Sequence, residues 1–541
     1  MSFARRVHRY VALLALAAVG CGSDASPKRT ERSQPREEKV CTFPQGPTAL
    51  EAVCGCTRVE GDLAIELGSS GDLACLATLR EVTGLLALGS RMSSSISSLH
   101  GLGELRRVGT LQLSGLAVAD LSGLANLQSA DELELSALPL IVDLRGLERV
   151  RWTQLTLQNL AELRSLEGLR VPETIAALTL SDDPKLESLE ALRPMRAAES
   201  VLLTKLAALA TLDGMSAEID RLQVAQCDSL VDLRGLTAGI RSFVLENNAQ
   251  LRALDGFAGL LMRPGAATGP EVRIENQPEL ESLEGLFAAE QQAIARLHLM
   301  GLPKIESVDL RSASQLGALV VRSCNALREI RGVESIEEMA QLHLTGLPAM
   351  SRLPAFDALR SVGDLELIEL RQIGDLAPLA KLTMAKAMSL NMLDSLSSLH
   401  GFERLESVGR LLLEDLHALE NLDGLRSLRS AETLWIQDTD KLENLRGLAL
   451  QSVTELAVRY DDKLRSLDGL DTLAEIGTLD FSANPELVSI RAVRNLRQAT
   501  RIFARANGKL PQCELDQLVT RLPSGTAHEF SDNGPAGACP P

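Results

Sequence analysis

Few residues in this 541-residue chain have the type and spacing that chemistry demands. Of its seven histidines, His298 and His343 occupy the same place in a recurring phrase. Imidazoles in reach of one another could hold a divalent cation. The patterns that place a zinc-bound water, a phosphate loop, a nucleophile or a thiol pair (H-E-x-x-H, G-x-x-x-x-G-K, G-x-S-x-G, C-x-x-C) do not occur. Asp438-Thr439-Asp440 has alternating oxygen ligands like the start of a calcium loop, but the sixth-position glycine is missing. Paired carboxylates carry no information in a chain with 72 acidic residues. These residues therefore assign no catalytic group, no cofactor and no metal, and they argue against an enzyme.

The elements that must position any site are repeats. LWIQDTDKLENLRGL from Leu434 returns as LAVRYDDKLRSLDGL from Leu456 and as LDFSANPELVSIRAV from Leu479. Apolar residues recur at positions 1, 3, 9, 12 and 15 of the phrase. The pair at positions 1 and 3 can be followed from Leu63 to Ile502, in about 20 copies spaced mostly 21–23 residues apart. Apolar–any–apolar predicts a short strand with one face buried. The later three-residue spacing, as at Leu442, Leu445 and Leu448, predicts a tight turn or a second short strand. One unit cannot bury its own leucines, but stacked units bury each leucine on the next. At a strand spacing of ~4.8 Å, about 20 coils make a rod or shallow arc on the order of 95 Å long.

Position 6 alternates between leucine and a short polar residue: Asp183, Cys227, Asn248, Gln277, Cys324, Thr439, Asp461, Asn484 and Asn507. The polar residues are expected to cap turning backbone amides, and the leucines to fill space. The resulting L-x-L-x-x-N-x-x-L-x-x-L-x-G-L resembles the leucine-rich repeat and, with its extra residue after position 6, more closely the receptor L-domain repeat. That resemblance covers about Leu63 to Ala504. It implies a right-handed β-solenoid of about 20 coils of 21–25 residues with disulfide-bonded caps.

Residues 1–20 carry Arg5, Arg6 and Arg9 ahead of a short apolar run and read as a secretory signal. Ala18-Val19-Gly20-Cys21 resembles a bacterial lipobox, with Ala18 where leucine is commonest. The resemblance implies acylation of Cys21 and an envelope location, outer membrane foremost, with either periplasmic or surface exposure. Loss of the leader and its three arginines takes the formal charge from −17 to −20. That balance disfavours nucleic acid as a partner. Residues 21–40 are nearly free of apolar side chains and read as a disordered tether.

Residues 41–85 read as the N-terminal cap and first coil, 86–505 as the solenoid and 506–541 as the C-terminal cap. In an exported chain Cys41, Cys54, Cys56 and Cys75 should form two disulfides. Three pairings are possible, and Cys41–Cys54 with Cys56–Cys75 is favoured because a Cys54–Cys56 loop is too tight. Cys513 and Cys539 are expected to close the other end, after a helical turn or two within Cys513–Leu522. Cys227 and Cys324 lie four coils apart, too far to bridge, and are expected to be buried free thiols. Longer spacings at SRMSSSISS (90–98) and MRPGAATGP (262–270) mark insertions on one face.

What remains is the stripe of position 2 side chains, which faces outward. Its candidates for partner contact are Arg273, His298, His343, Trp435 and Phe503, with Tyr460 nearby. The two histidines, separated by Val320, should be a solvated pair about 10 Å apart, too far to share a metal. The expected function is a non-catalytic, envelope-anchored binding or adhesion module that recognises a protein or polysaccharide through this stripe. A structural spacer without a ligand is the alternative.

Overall fold

The computed structural model of the protein describes residues 38–67, 72–89, 96–237, 239–257, 269–286 and 292–534. Cys21 and Cys539, the leader, most of the tether and most of both insertions lie outside them. From Lys39 onward the chain is one compact unit. Its centre is a 23-stranded sheet whose neighbouring strands all pair in parallel. Each strand of one coil lies on the equivalent strand of the next, so Leu411, Leu434, Leu456, Leu479 and Ile502 are successive partners. The protein is a β-solenoid.

The strands are longer than the phrase predicts. Ser430–Gln437 and Ser452–Arg459 each begin four residues before position 1. Where it is present, the added segment buries one more side chain, such as Ala431, Val453, Ile476 and Ala499. Two consecutive residues then point away from the core before alternation resumes at position 1. The Leu442, Leu445 and Leu448 spacing forms turns: Leu442 N–H donates to Thr439 and Leu448 N–H to Leu445 three residues back. Elsewhere the same segment is a 3-10 turn, as at Asp423–Leu425, or a brief strand, as at Ser307–Asp309 paired with Glu329–Arg331.

Position 5 adopts the left-handed conformation in coil after coil, from Asn159 (φ 56°) to Tyr460 (φ 59°) and Ala506 (φ 55°). The residue turns the chain while keeping its N–H in the ladder: Asp438 donates to Arg459 and Ala483 to Arg505 of the following coil. The repeat glycine is required for a different reason. Gly469 has φ 116°, and a Cβ there would overlap the Leu445 carbonyl of the preceding coil.

Position 6 carboxylate and amide oxygens accept from the backbone N–H of the coil before, whereas Gln277 Nε2 donates to the Glu275 carbonyl of its own coil. Asn484 Oδ1 accepts from Asp461 N–H at 3.0 Å, and Asn484 Nδ2 donates to the Val458 carbonyl at 2.9 Å. The ladder runs Thr439, Asp461, Asn484, Asn507 and on to Asn533 in the C-terminal cap. A second one joins Cys227, Asn248 and Gln277. All but Asn533 are fully buried or nearly so, so each bond between the buried members answers a group that water cannot reach. Thr439, between Asp438 and Asp440, belongs to this ladder: it is fully buried and bonds Asp461.

The N-terminal cap overturns the favoured pairing of its cysteines. Cys41 bonds Cys56 and Cys54 bonds Cys75. Strand Val40–Thr42 lies parallel to Arg58–Glu60, which brings Cys41 over the fully buried Cys56. Cys54 follows the 3-10 turn Leu50–Val53 and faces Cys75 in the next coil's turn, Ala74–Leu76. Their separation of 21 residues is one coil repeat. At the other end Cys513 is disulfide-bonded, in a helix that spans Gln512–Arg521 and is longer than the expected turn or two. Leu515 and Leu518 bury its inner face, and strand Ala527–Ser531 extends the sheet by one exposed rung.

Candidate ligand-binding face

Positions 2 and 4 of each strand point away from the core, so the solenoid presents two rows of side chains at fixed spacing. Register makes Arg273, His298, Val320, His343 and Glu366 five successive rungs of the position 2 row. Glu275 and Arg322 belong to the position 4 row beside them. Arg273 binds Glu275 through two nitrogens, at 2.6 and 2.7 Å, and His298 Nδ1 lies 3.6 Å from the same carboxylate. Arg322 donates to Glu366 at 3.1 Å and sits 3.3 Å from His343 Nδ1.

The two histidines are not the solvated pair that the sequence suggests. His343 is 8% exposed, and His298 is half-buried. In-register stacking places Val320 between the rings, and the neighbouring charged side chains wall them in. Burial pushes both imidazoles below their ordinary pKa, against the opposing pull of Glu275 on His298 and Glu366 on His343. The Arg273 guanidinium holds Glu275 below the usual carboxylate range, although burial opposes it. His298 Nε2, His343 Nε2 and Arg322 Nε are enclosed without a hydrogen-bond partner. No group of three or more His, Cys, Asp or Glu among the described residues is placed to hold a metal.

The other candidates lie towards the C-terminus. Trp435 faces outward between Leu412 and Ala457, and its Nε1 donates to Glu455 at 3.0 Å. Two rungs on, Asp480 takes a bond from Arg459 at 2.9 Å. Phe503 follows, flanked by Arg501 and Arg505 with guanidinium carbons 5.8 and 5.2 Å from the ring centre. Tyr460 is not on the strand face. It holds position 5, in the turn after Ser452–Arg459, and is 57% exposed there.

Cys227 and Cys324 are buried and free, as expected, and burial pushes each thiol up to about 11. Thiols so protonated and enclosed are poor nucleophiles. The sequence reading passed over Glu275 and Arg322, although position 4 is as regular as position 2. It also passed over the charge of the last coil, where residues 487–513 hold Arg491, Arg494, Arg497, Arg501, Arg505 and Lys509 and no acid.

No family model matches the sequence. Among solved structures, TLR13 in complex with ssRNA13 is similar over 88% of this chain and 85% of that one, at 15% identity and a TM-score of 0.32. An internalin, inlF of Listeria monocytogenes, is similar over 86% of this chain and 84% of its own, at 14% identity and a TM-score of 0.22. The functional domain of InlJ from Listeria monocytogenes, which includes a cysteine ladder, covers 81% and 75% at 15% identity and a TM-score of 0.19. These likenesses are too loose to bear on function.

Proposed function

We propose that the protein is a non-catalytic binding or adhesion module that recognises a macromolecular ligand, a protein before a polysaccharide, through the outer strand face. The observation that carries this reading is the fixed lattice of positions 2 and 4, with Trp435 and Phe503 standing on it in braced positions. Trp435 is tied to Glu455 and Phe503 is stacked by two guanidinium groups. Rigid aromatic and arginine side chains supply most of the energy of protein interfaces. A surface already ordered by the sheet loses little entropy when a partner lands. The scarcity of aromatic residues favours a protein over a sugar.

We further propose that acylated Cys21 anchors the chain to the bacterial envelope. A Cys21→Ser variant should then leave the membrane fraction and lose incorporation of labelled palmitate. Affinity capture from envelope extract with residues 21–541 tests the binding reading. Trp435→Ala combined with Phe503→Ala should reduce recovery of a specific partner at least tenfold. A partner recovered equally by the double variant refutes recognition through this face, and no partner at all leaves a spacer.

A further inference from the structure

We propose that the last coil docks a short acidic protein segment, laid along the strand Gln498–Arg505. The inference rests on the binding-module reading and supplies the chemistry of one partner contact.

The chain is anionic, with a formal charge of −17, yet its 487–513 stretch carries six basic residues and no carboxylate. The fold wraps these cations around a single coil. Arg491 and Arg494 lie on the 3-10 turn Arg491–Asn495, Arg497 lies in the link that follows, and Arg501 and Arg505 lie on the strand. Arg505 is occupied by Glu529, Lys509 by Glu486 at 2.6 Å and Arg491 by Glu514 at 3.4 Å. Among the described residues no carboxylate pairs with Arg494, Arg497 or Arg501. Exposed guanidinium groups gain by meeting an anion in the bidentate geometry they favour. Phe503 stands between Arg501 and Arg505, so an apolar or aromatic partner side chain can pack beside the charge.

The cationic strip is one rung wide, and this selects the occupant. The register partners of Phe503 are Asp480 on the preceding rung and Glu529 on the following one. A long polyanion tracking from coil to coil would meet a carboxylate ~4.8 Å to either side. A short peptide that follows one strand meets arginines along its length and those acids only at its flanks. The reverse side of the coil offers a cleft of ≈ 240 Å³ in which Arg491, Arg494 and Arg521 gather. Its only acid, Glu514, turns inward to accept from the Ile490 N–H at 2.7 Å. The cleft is cationic but lacks the aromatic stack, so the strand face is the assigned site.

The test uses residues 21–541 and a fluorescent octa-glutamate peptide, read by anisotropy. The peptide should bind, and the affinity should fall at least fivefold when salt rises from 50 to 200 mM, as charge pairing requires. Arg497→Ala with Arg501→Ala should weaken binding at least tenfold with an unchanged melting temperature, since both side chains are exposed. Arg494→Ala with Arg521→Ala should weaken it less than twofold. Absence of peptide binding overturns the inference, and so does equal binding by the strand-face variant or loss confined to the cleft variant. Stronger binding of oligo-uridylate or dextran sulfate at matched charge overturns the acidic-protein assignment in favour of those polymers. Partner capture through Trp435 does not depend on octa-glutamate, so failure here leaves the binding-module reading standing.

Discussion

Two aspartates show how closely each rung is tuned. Asp183 and Asp461 stand in the position 6 ladder, where asparagine would use both its oxygen and its amide nitrogen. Each has one carboxylate oxygen bonded to a backbone N–H of the previous coil and the other enclosed without a partner. Burial pushes both up to about 7. Because the folded pKa lies above the unfolded value, the native state binds more protons between pH 4 and 7. The stability held at low pH is therefore lost as pH rises through about 7. We expect Asp461→Asn to raise stability at pH 8 by on the order of 1–3 kcal/mol and to change it little at pH 4.5, as measured by urea unfolding. A gain of equal size at both pH values would show that charge is not the cause. Position 5 carries a separate cost wherever it is neither Gly, Asn nor Asp. Met392 sits at φ 53°, and Met392→Gly should add about 1 kcal/mol by relieving the Cβ contact of the left-handed form.

At the scale of the element, the leucine phrase made the stacked coil legible because burial at positions 1, 3, 9, 12 and 15 leaves a fixed period. The early start of most strands was harder to see. The extra buried residue, Ala431 or Ala499 in some coils, is small, and two outward residues interrupt the alternation. The left-handed turn had a signal that went unread: Asn159, Asp182, Asn247, Asn276, Gly301, Gly346, Asp415 and Asp438 are the types that tolerate it. The cap pairing also had one, since Cys54 and Cys75 are one coil apart and so must lie on adjacent rungs. The solvated histidine pair failed because outward pointing was equated with exposure, whereas long neighbours in register bury what lies between them. Of the candidate face, the outward placement of Trp435 and Phe503 was legible, but the Arg322 and Glu275 contacts were not, since they depend on which side chains lie beside which. Where the turn takes a positive φ, as at Gly447 and Gly469, glycine is required. Gly469→Ala should cost at least about 2 kcal/mol, from the positive φ together with the clash against Leu445. Cys75→Ser should expose the first two coils to hydrogen exchange and leave the coils beyond Leu111 protected.

For the whole molecule, stability follows chiefly from contacts between neighbouring coils. A core lesion such as Leu456→Ala, worth about 2–5 kcal/mol locally, should open coils near Leu434–Leu479 to exchange and leave those near Leu133 unchanged. The same one-dimensional order gives the outer face its character. Each rung can carry a different side chain without disturbing the core, so the neutral, mixed-charge and cationic stretches succeed one another along a constant scaffold. Recognition through that face is the central claim, and side-chain footprinting tests it directly. Hydroxyl-radical oxidation of residues 21–541, with and without the captured partner, should show Trp435 and Phe503 protected several-fold in the complex. Met384, 52% exposed at the start of its strand, should oxidise equally in both. Trp435 and Phe503 oxidised alike with and without partner would contradict the claim.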